Sequence, residues 1–198
     1  MNVMGKLFYI MGKSASGKDS FYRELMRTED LFLNKLILYT TRPMRDKEAN
    51  GREYYFVTEE QEQQLRREGK IIEERHYHTV HGLWIYFTVD DGQIRWDEND
   101  YLGIGTLESY CALKEHYGQD RICPIYIEVE DGERLSRALL REKEQENPRY
   151  AEMCRRFLAD EEDFSEEKLA DAGIQVRFQN DDMERCLKEI VEYIRSAR

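Results

Sequence analysis

The sequence has little of what marks secreted, membrane-spanning or nucleic-acid-binding proteins. Its 4 cysteines are widely separated and include no C-x-x-C pair, so free thiols in a reducing compartment fit better than disulfides or zinc. No apolar segment resembles the core of a signal peptide or approaches membrane-spanning length. Positive charge is in the minority, with 30 Lys and Arg against 41 Asp and Glu, which disfavours nucleic acid and anionic membranes as partners. We therefore expect a cytoplasmic protein.

The length of 198 residues suits a single domain with a real core. Short apolar runs alternate with helix-length segments, which predicts an α/β fold with a mainly parallel central sheet. The predicted strands are residues 7–11, 35–39, 100–104, 122–129 and 174–178. The predicted helices are residues 18–27, 106–116, 132–146, 150–163 and 182–195. Residues 42–96 break this rhythm and predict an inserted, mostly antiparallel lobe with one helix at 59–68.

Residues 12–20 read Gly-Lys-Ser-Ala-Ser-Gly-Lys-Asp-Ser and lie between a predicted strand and a predicted helix. In this setting a G-x-x-x-x-G-K loop can cradle phosphate. The glycines let backbone N–H groups converge on an anion, and the helix N-terminus adds partial positive charge. Lys18 is then placed to reach the β- and γ-phosphates of a nucleoside triphosphate. Asp19 occupies the next position, where a Ser or Thr hydroxyl normally meets Mg²⁺.

Three further segments carry a resemblance to the guanylate kinases. Residues 40–45 read Thr-Thr-Arg-Pro-Met-Arg, residues 51–57 read Gly-Arg-Glu-Tyr-Tyr-Phe-Val, and residues 178–182 read Phe-Gln-Asn-Asp-Asp. They are similar to that family's T-T-R-x-x-R run, G-x-x-Y-x-F-V strand and N-D-D ending. The resemblance spans nearly the whole chain. It implies a P-loop NTPase-type three-layer fold with an inserted mixed α/β nucleoside-monophosphate lobe and a helical lid. The core would be residues 1–41, 97–136 and 164–198, the lobe 42–96 and the lid about 137–163.

The resemblance also implies an activity, the transfer of a phosphoryl group from ATP to GMP with Mg²⁺ as cofactor. Its implied catalytic residues are Lys18, Arg137, Arg141 and Arg156. Its implied ATP-binding residues are Gly12, Lys13, Ser14, Ala15, Ser16, Gly17, Lys18, Asp19, Ser20 and Asn180. Its implied acceptor-binding residues are Thr41, Arg42, Arg45, Tyr54, Glu73, Tyr86 and Thr88.

The chemistry of these side chains suits those roles. Arg42 and Arg45 can clamp a phosphate through charge-assisted forks, to which Tyr54 adds a phenolic hydrogen bond. The Glu73 carboxylate can accept the N1–H and the exocyclic amine of guanine together. Strand alternation turns only one of two adjacent residues toward a pocket, so Glu74 is the alternative to Glu73. In the lid, Arg155 is likewise the alternative to Arg156.

Two segments depart from the family pattern. Residue 87 is Phe where the Y-G-[ST] motif has glycine, and we expect its ring to reshape the base pocket. Residues 103–108 read Gly-Ile-Gly-Thr-Leu-Glu and lack both carboxylates of the family's D-x-D-x-x-G segment. Glu108 is either a substitute carboxylate or a residue that stabilises the first turn of a helix. These changes keep open a different acceptor, either another nucleoside monophosphate or a ribose bisphosphate.

Three other interpretations concern the metal, the histidines and the function class. We expect Asp19 to bind Mg²⁺ directly or through water, because carboxylates are good ligands for hard cations. The cluster of His76, His78 and His81 suggests a zinc site as one interpretation. No cysteine lies near it in the sequence, so histidines that line a pocket or lie on the surface fit better. A non-catalytic binding module of the same fold is disfavoured by the presence of Lys18 and the lid arginines. The sequence favours neither a monomer nor a homodimer.

Overall fold

Five parallel strands form the central sheet of the computed structural model, which describes residues 4–79 and 82–198. Their spatial order is β2 (Leu33–Lys35), β7 (Asp100–Gly105), β1 (Leu7–Met11), β8 (Ile122–Glu128) and β9 (Arg177–Gln179). Every residue of β1 is fully buried, as a strand at the centre of a parallel sheet requires.

Helices cover both faces of this sheet. Alternate residues of β1 point to opposite sides, so Phe8 and Ile10 enter one core while Tyr9 enters the other. The first core is closed by α1 (Lys18–Arg27) and α7 (Met183–Ser196). The second core is closed by α3 (Leu107–Tyr117) and α6 (Glu166–Asp171). The predicted three-layer α/β fold with a mainly parallel sheet is therefore confirmed.

A second, four-stranded sheet lies in the inserted segment. Its order is β4 (Tyr55–Phe56), β3 (Tyr39–Thr40), β6 (Gly82–Val89) and β5 (Ile71–Thr79), with α2 (Glu59–Arg67) between β4 and β5. The β5–β6 and β3–β6 pairs are antiparallel and the β3–β4 pair is parallel. Because β3 belongs to this sheet, Tyr39 and Thr40 fall in the segment that the sequence had assigned to the core.

Two helices form the region where the lid was expected, α4 (Asp131–Lys143) and α5 (Tyr150–Asp163). Two other predicted elements are displaced. The strand expected at 35–39 is divided between β2 and β3, and the strand expected at 174–178 begins only at Arg177. Ile174 is buried in the core just after α6, which explains its apolar character without a strand. No helix in the described ranges has the length and apolarity to cross a membrane.

Tyr9 on β1 fills the space beside two glycines of β7. A Cβ atom added to Gly103 would lie 2.6 Å from the Tyr9 ring, and one added to Gly105 would lie 2.1 Å from the Tyr9 hydroxyl oxygen. Both glycines are the positions where the family motif has carboxylates. The absence of those carboxylates therefore has a packing counterpart, because no side chain fits there while Tyr9 occupies the site.

We predict that Gly105→Ala destabilises the protein by about 1–3 kcal/mol, because the added methyl group overpacks against Tyr9. Urea unfolding monitored by circular dichroism measures the change. Tyr9→Phe in the same chain should recover part of the loss by removing the nearest atom. Gly132→Ala is the matched control, since its nearest neighbour is the flexible end of Glu130 at 3.1 Å. Equal stability of Gly105→Ala and the parent would contradict the prediction.

Candidate functional site

The loop at residues 12–17 joins β1 to α1 and is tightly constrained. A Cβ atom on Gly12 would lie 2.6 Å from the Ile127 carbonyl oxygen, so only glycine fits there. Gly17 has φ 91° and Ala15 has φ 63°, both in the left-handed region. Strain at a non-glycine residue such as Ala15 persists only where surrounding contacts hold it.

Asn180 supplies one of those contacts. Its Nδ2 donates to the Ser16 carbonyl oxygen at 2.8 Å, and its own backbone N–H donates to Glu128 at the end of β8. Asn180 is buried. Gly17 lies so close to it that a Cβ atom added to Gly17 would be 2.7 Å from Asn180 Nδ2. The structure thus gives Asn180 a place in holding the backbone of the loop.

Lys18 is the first residue of α1 and lines the large cleft beside the loop. Burial lowers the pKa of its ammonium group, while the neighbouring Asp19 and Asp160 carboxylates oppose that shift. Arg156 and Arg141 lower the pKa further, which places both lid arginines within electrostatic reach of Lys18. Asp19 is exposed on the same cleft. These groups form a cationic site around the loop, with Asp19 at its edge.

The lid arginines face the loop to different degrees. Arg156 Nη2 donates to Ser14 Oγ at 3.2 Å, whereas Arg155 pairs with Glu152 on the outer surface of α5. Arg141 lines a small pocket together with Ser14 and Arg156. Arg137 donates to the Asn180 carbonyl oxygen at 3.1 Å. Of the two candidates on α5, Arg156 is therefore the one that the structure brings to the loop.

Arg134 is a further residue at this site that sequence reasoning missed. Its guanidinium is fully buried, bonds to the Ser14 carbonyl oxygen, and lies over the Phe157 ring at 4.0 Å. Three carboxylates surround it, from Asp131, Asp160 and Glu161. The spacing of Arg134, Arg137 and Arg141 on one helix was the available signal, because residues at i, i+3 and i+7 share a face.

Two carboxylates of α5 bind hydrogen-bond donors of the loop at residues 12–17. The backbone N–H of Ser14 donates to Asp160 Oδ2 at 2.8 Å. Lys13 Nζ lies 2.8 Å from Glu161 Oε2. Acidic groups thus stand where a polyphosphate would find hydrogen-bond donors, and ATP would have to displace Asp160 from the Ser14 N–H.

The second half of the site lies across the cleft, which has a volume of about 860 Å³. Its walls bring Lys18, Asp19 and Arg156 from the loop and lid together with Tyr54 and Tyr86 from the inserted lobe. The Tyr54 and Tyr86 rings pack edge to face at 5.5 Å. Burial raises the pKa of Tyr54, so its hydroxyl stays protonated and able to donate.

Arg42 departs from the simple phosphate fork expected from the sequence. Its guanidinium makes four hydrogen bonds, two to Glu48, one to the Pro43 carbonyl oxygen and one to the Tyr86 hydroxyl. A guanidinium has five N–H donors, so one remains. Arg42 therefore has no free two-pronged fork unless Glu48 moves away.

Arg45 and Thr41 differ from Arg42 in their surroundings. Arg45 is exposed, and its backbone N–H donates to Glu48 Oε2. The Thr41 hydroxyl accepts the backbone N–H of Ile85 at 3.0 Å, so it serves to join the chain to β6. The carboxylate of Glu48 is thus shared by Arg42 and the Arg45 backbone, and both interactions lower its pKa to about 2.

Strand register decides between Glu73 and Glu74. Glu73 is buried opposite Thr88 on β6, and it accepts Thr88 Oγ1 at 2.6 Å and Ser109 Oγ at 3.0 Å. Glu74 lies on the other face, where it pairs with Arg66. The Thr88 hydroxyl has one hydrogen to donate, and it donates it to Glu73. Thr88 therefore has no second hydrogen for another acceptor.

The expectation for Phe87 was wrong. Its ring packs with Ile85 and Val89 in the core of the inserted lobe, on the face opposite Tyr86 and Thr88. The physical reason is the two-residue period of a strand, which turns position 87 away from the cleft. Glu108 is exposed in the first turn of α3, consistent with stabilisation of the helix N-terminus.

The histidines do not form a recognisable metal site in the described part of the chain. His76 and His78 are exposed, and His76 Nε2 lies 3.1 Å from Glu74 Oε1. His81 lies outside the described residues. Residues 4–79 and 82–198 contain no group of three or more His, Cys, Asp or Glu side chains placed to hold a metal ion.

Comparisons with known proteins agree with this arrangement. The family model described as guanylate kinase matches residues 4–83. A guanylate kinase from Porphyromonas gingivalis is 28% identical over 94% of this chain and 95% of its own length. The chain is similar to guanylate kinases, locally in its first 83 residues and more weakly along nearly its whole length.

Other matches to this chain are more local. A guanylate kinase from Nitrosomonas europaea is 39% identical over 38% of this chain, and the match spans only 37% of that relative's length. One from Thermotoga maritima is 36% identical over 39% of this chain and 36% of its own length. The crystal structure of guanylate kinase from Anaplasma phagocytophilum shares the fold, with a TM-score of 0.63 at 20% identity, covering 98% of this chain and 87% of that one.

We predict that Asp160→Asn strengthens ATP binding by about three- to tenfold, corresponding to 1.4 kcal/mol or less. The change removes a negative charge from the Ser14 N–H and from the vicinity of Lys18. Asp131 and Glu161 still pair with Arg134, which should preserve the fold. Isothermal titration calorimetry measures the dissociation constant. Glu162→Gln is the charge-matched control on the exposed side of α5, and unchanged or weaker ATP binding by Asp160→Asn would count against the prediction.

Proposed function

We propose that this protein transfers the γ-phosphoryl group of ATP to GMP and releases ADP and GDP. The observation that carries the proposal is a single cleft lined both by Lys18 and Arg156 and by the tyrosines of the inserted lobe. A triphosphate donor and a monophosphate acceptor can meet in such a cleft without an intermediate on the protein. The family supports GMP as the acceptor.

The reaction needs little covalent chemistry from the protein, because positioning and charge neutralisation do most of the work. The loop amides and Lys18 hold the β- and γ-phosphates of ATP. Arg156 and Arg141 neutralise charge on the transferring group, and Arg137 keeps the Asn180 segment against the loop. The attacking oxygen belongs to a phosphate that is already anionic, so no general base is required.

The acceptor phosphate is held on the other side of the cleft. Tyr54 and Tyr86 donate phenolic hydrogen bonds, Arg42 gives its remaining N–H, and Arg45 adds an exposed cation. Glu48 and Tyr86 fix the Arg42 guanidinium, which removes the entropy cost of ordering it when GMP binds. Closure of α4 and α5 excludes water and limits wasteful hydrolysis of ATP.

Magnesium fits this donor set through Asp19. Mg²⁺ usually keeps several waters and takes one or two carboxylates together with substrate phosphates, so one exposed carboxylate beside Lys18 is sufficient. When bound, the ion supplies positive charge to the β- and γ-phosphates. Asp19 would orient it, directly or through water. We also propose a cytoplasmic location, on the basis of the unpaired cysteines in the sequence.

A coupled assay of ADP formation tests the proposed activity. Acceptors are GMP, the other nucleoside monophosphates and a ribose bisphosphate. We expect turnover with GMP, and a loss of at least about 10²-fold in Lys18→Met, because one preorganised cation is removed from the transferring group. Lys188→Met is the matched control, since Lys188 is exposed on α7 and pairs with Glu184. Preference for a ribose bisphosphate, or no turnover with any acceptor, would refute the proposal.

The role of Asp19 has its own test. In Asp19→Ala we expect the Mg²⁺ concentration for half-maximal activity to rise about tenfold, because a direct or water-bridged ligand is lost. Asp19→Thr should restore much of the dependence by supplying a hydroxyl at the usual position. Initial rates across a Mg²⁺ titration measure both variants. Identical Mg²⁺ dependence and rates in the parent and both variants would rule out a metal-binding role.

A further inference from the structure

Buried nitrogens without hydrogen-bond partners lie on Arg75, which lines the acceptor cleft. Among the described residues, the buried side-chain atoms that lack a partner include Arg75 Nε and Nη2 and, on β1, Tyr9 Oη. Burying such groups unpaired is costly, so a cluster of them calls for a partner that arrives later. Tyr9 is fully buried and Arg75 is mostly buried.

Tyr9 and Arg75 share one environment with Glu73. Burial raises the pKa of the Tyr9 hydroxyl, the Arg75 charge opposes that shift and the Glu73 charge adds to it. Arg75 Nε lies 3.3 Å from Glu73 Oε2, close enough for an ion pair without hydrogen-bond alignment. Arg75 follows Glu73 by two residues on β5, so both side chains are on the same face of the sheet. Arg75 also lines the cleft itself.

A count of donors and acceptors shows what this cluster still lacks. Glu73 already accepts hydrogen bonds from the Thr88 and Ser109 hydroxyls. A carboxylate has about four acceptor positions, so Glu73 can still accept hydrogen bonds from two N–H groups of a base. The Thr88 proton is used by that same contact. A base that donates two N–H groups to Glu73 and also carries a carbonyl oxygen therefore needs another donor for the oxygen. Arg75 has that donor capacity beside Glu73.

We propose that Arg75 is a specificity-determining residue that donates a hydrogen bond to the 6-oxo group of the acceptor base. Glu73 accepts hydrogen bonds from the N1–H and the exocyclic amine. Arg75 donates to the carbonyl oxygen, because the Thr88 hydroxyl already donates to Glu73. This inference rests on the proposed function, in that it takes a guanine nucleotide as the acceptor. Arg75 has the chemistry for it, since a guanidinium binds the carbonyl edge of guanine well.

Three nucleotides distinguish the contact of Glu73 with the N–H groups of the base from the contact of Arg75 with its 6-oxo group. GMP presents the complete edge. IMP lacks the exocyclic amine but keeps the 6-oxo group. 6-Thio-GMP keeps both N–H donors but replaces the oxygen with sulfur, a weak hydrogen-bond acceptor. Binding of each is measured by isothermal titration calorimetry without ATP, and turnover by the coupled assay.

In Arg75→Met we expect GMP and IMP to bind about tenfold or more weakly, on the scale of one lost base contact, while 6-thio-GMP changes by less than about twofold. Arg75→Lys should recover part of the GMP affinity because it keeps a cationic donor. Arg67→Met is the matched control, since Arg67 lies on α2 in the same lobe and its side chain bonds Gln64. Thermal melts check that each variant is folded.

Several results would overturn the inference. If Arg75→Met loses affinity equally for GMP and 6-thio-GMP, the role of Arg75 is merely structural. If it loses affinity for neither nucleotide, Arg75 has no role in base binding. If Arg75→Met does not fold, the parent protein still decides, because equal affinity for GMP and 6-thio-GMP contradicts the proposal. If the parent discriminates between them but transfers no phosphoryl group, the proposed activity fails and the base contact stands. If it binds no GMP, both fail.

Discussion

The loop at residues 12–17 is held from two sides, and the arrangement of the whole site depends on this. From the core, Asn180 fixes the carbonyl oxygen of Ser16. From the lid, the Arg134 guanidinium and its carboxylate partners bind the backbone of Ser14. A loop with left-handed residues and few contacts of its own needs such support, because its backbone N–H groups must stay in a geometry that suits an anion before the anion arrives.

The same contacts bear on how an acidic protein would bind a polyphosphate. The net charge of −11 leaves no general attraction for anions, so recognition depends on a few cations in one cleft. Several of these cations have an acidic neighbour, Glu161 for Lys13 and Glu48 for Arg42. The carboxylates keep the cations oriented and partly neutralised. On the proposed function, ATP and the acceptor exchange places with, or share, carboxylates that are already part of the fold.

How far the sequence predicts this site depends on how local each feature is. The loop and the helices at 18–27 and 150–163 follow from short contiguous patterns, and they appear in the structure with those bounds. The choice between Glu73 and Glu74 depends on the pairing of β5 with β6, which no local pattern reveals. The same pairing turns Phe87 into the lobe core, where the sequence had placed it at the base pocket. Arg134 and the Glu48–Arg42 pair were missed because their partners are set by packing and by the conformation of a turn.

The contact of Tyr9 with Gly103 and Gly105 has a consequence for how this chain can change over time. A side chain at either glycine position and the tyrosine exclude each other, because they claim the same volume. A carboxylate therefore cannot be placed at either glycine of β7 by one substitution, and β1 cannot lose its ring without opening a cavity. The three positions form a unit whose members must change together. Exchanging this arrangement for one with a carboxylate on β7 by single substitutions passes through a less stable intermediate.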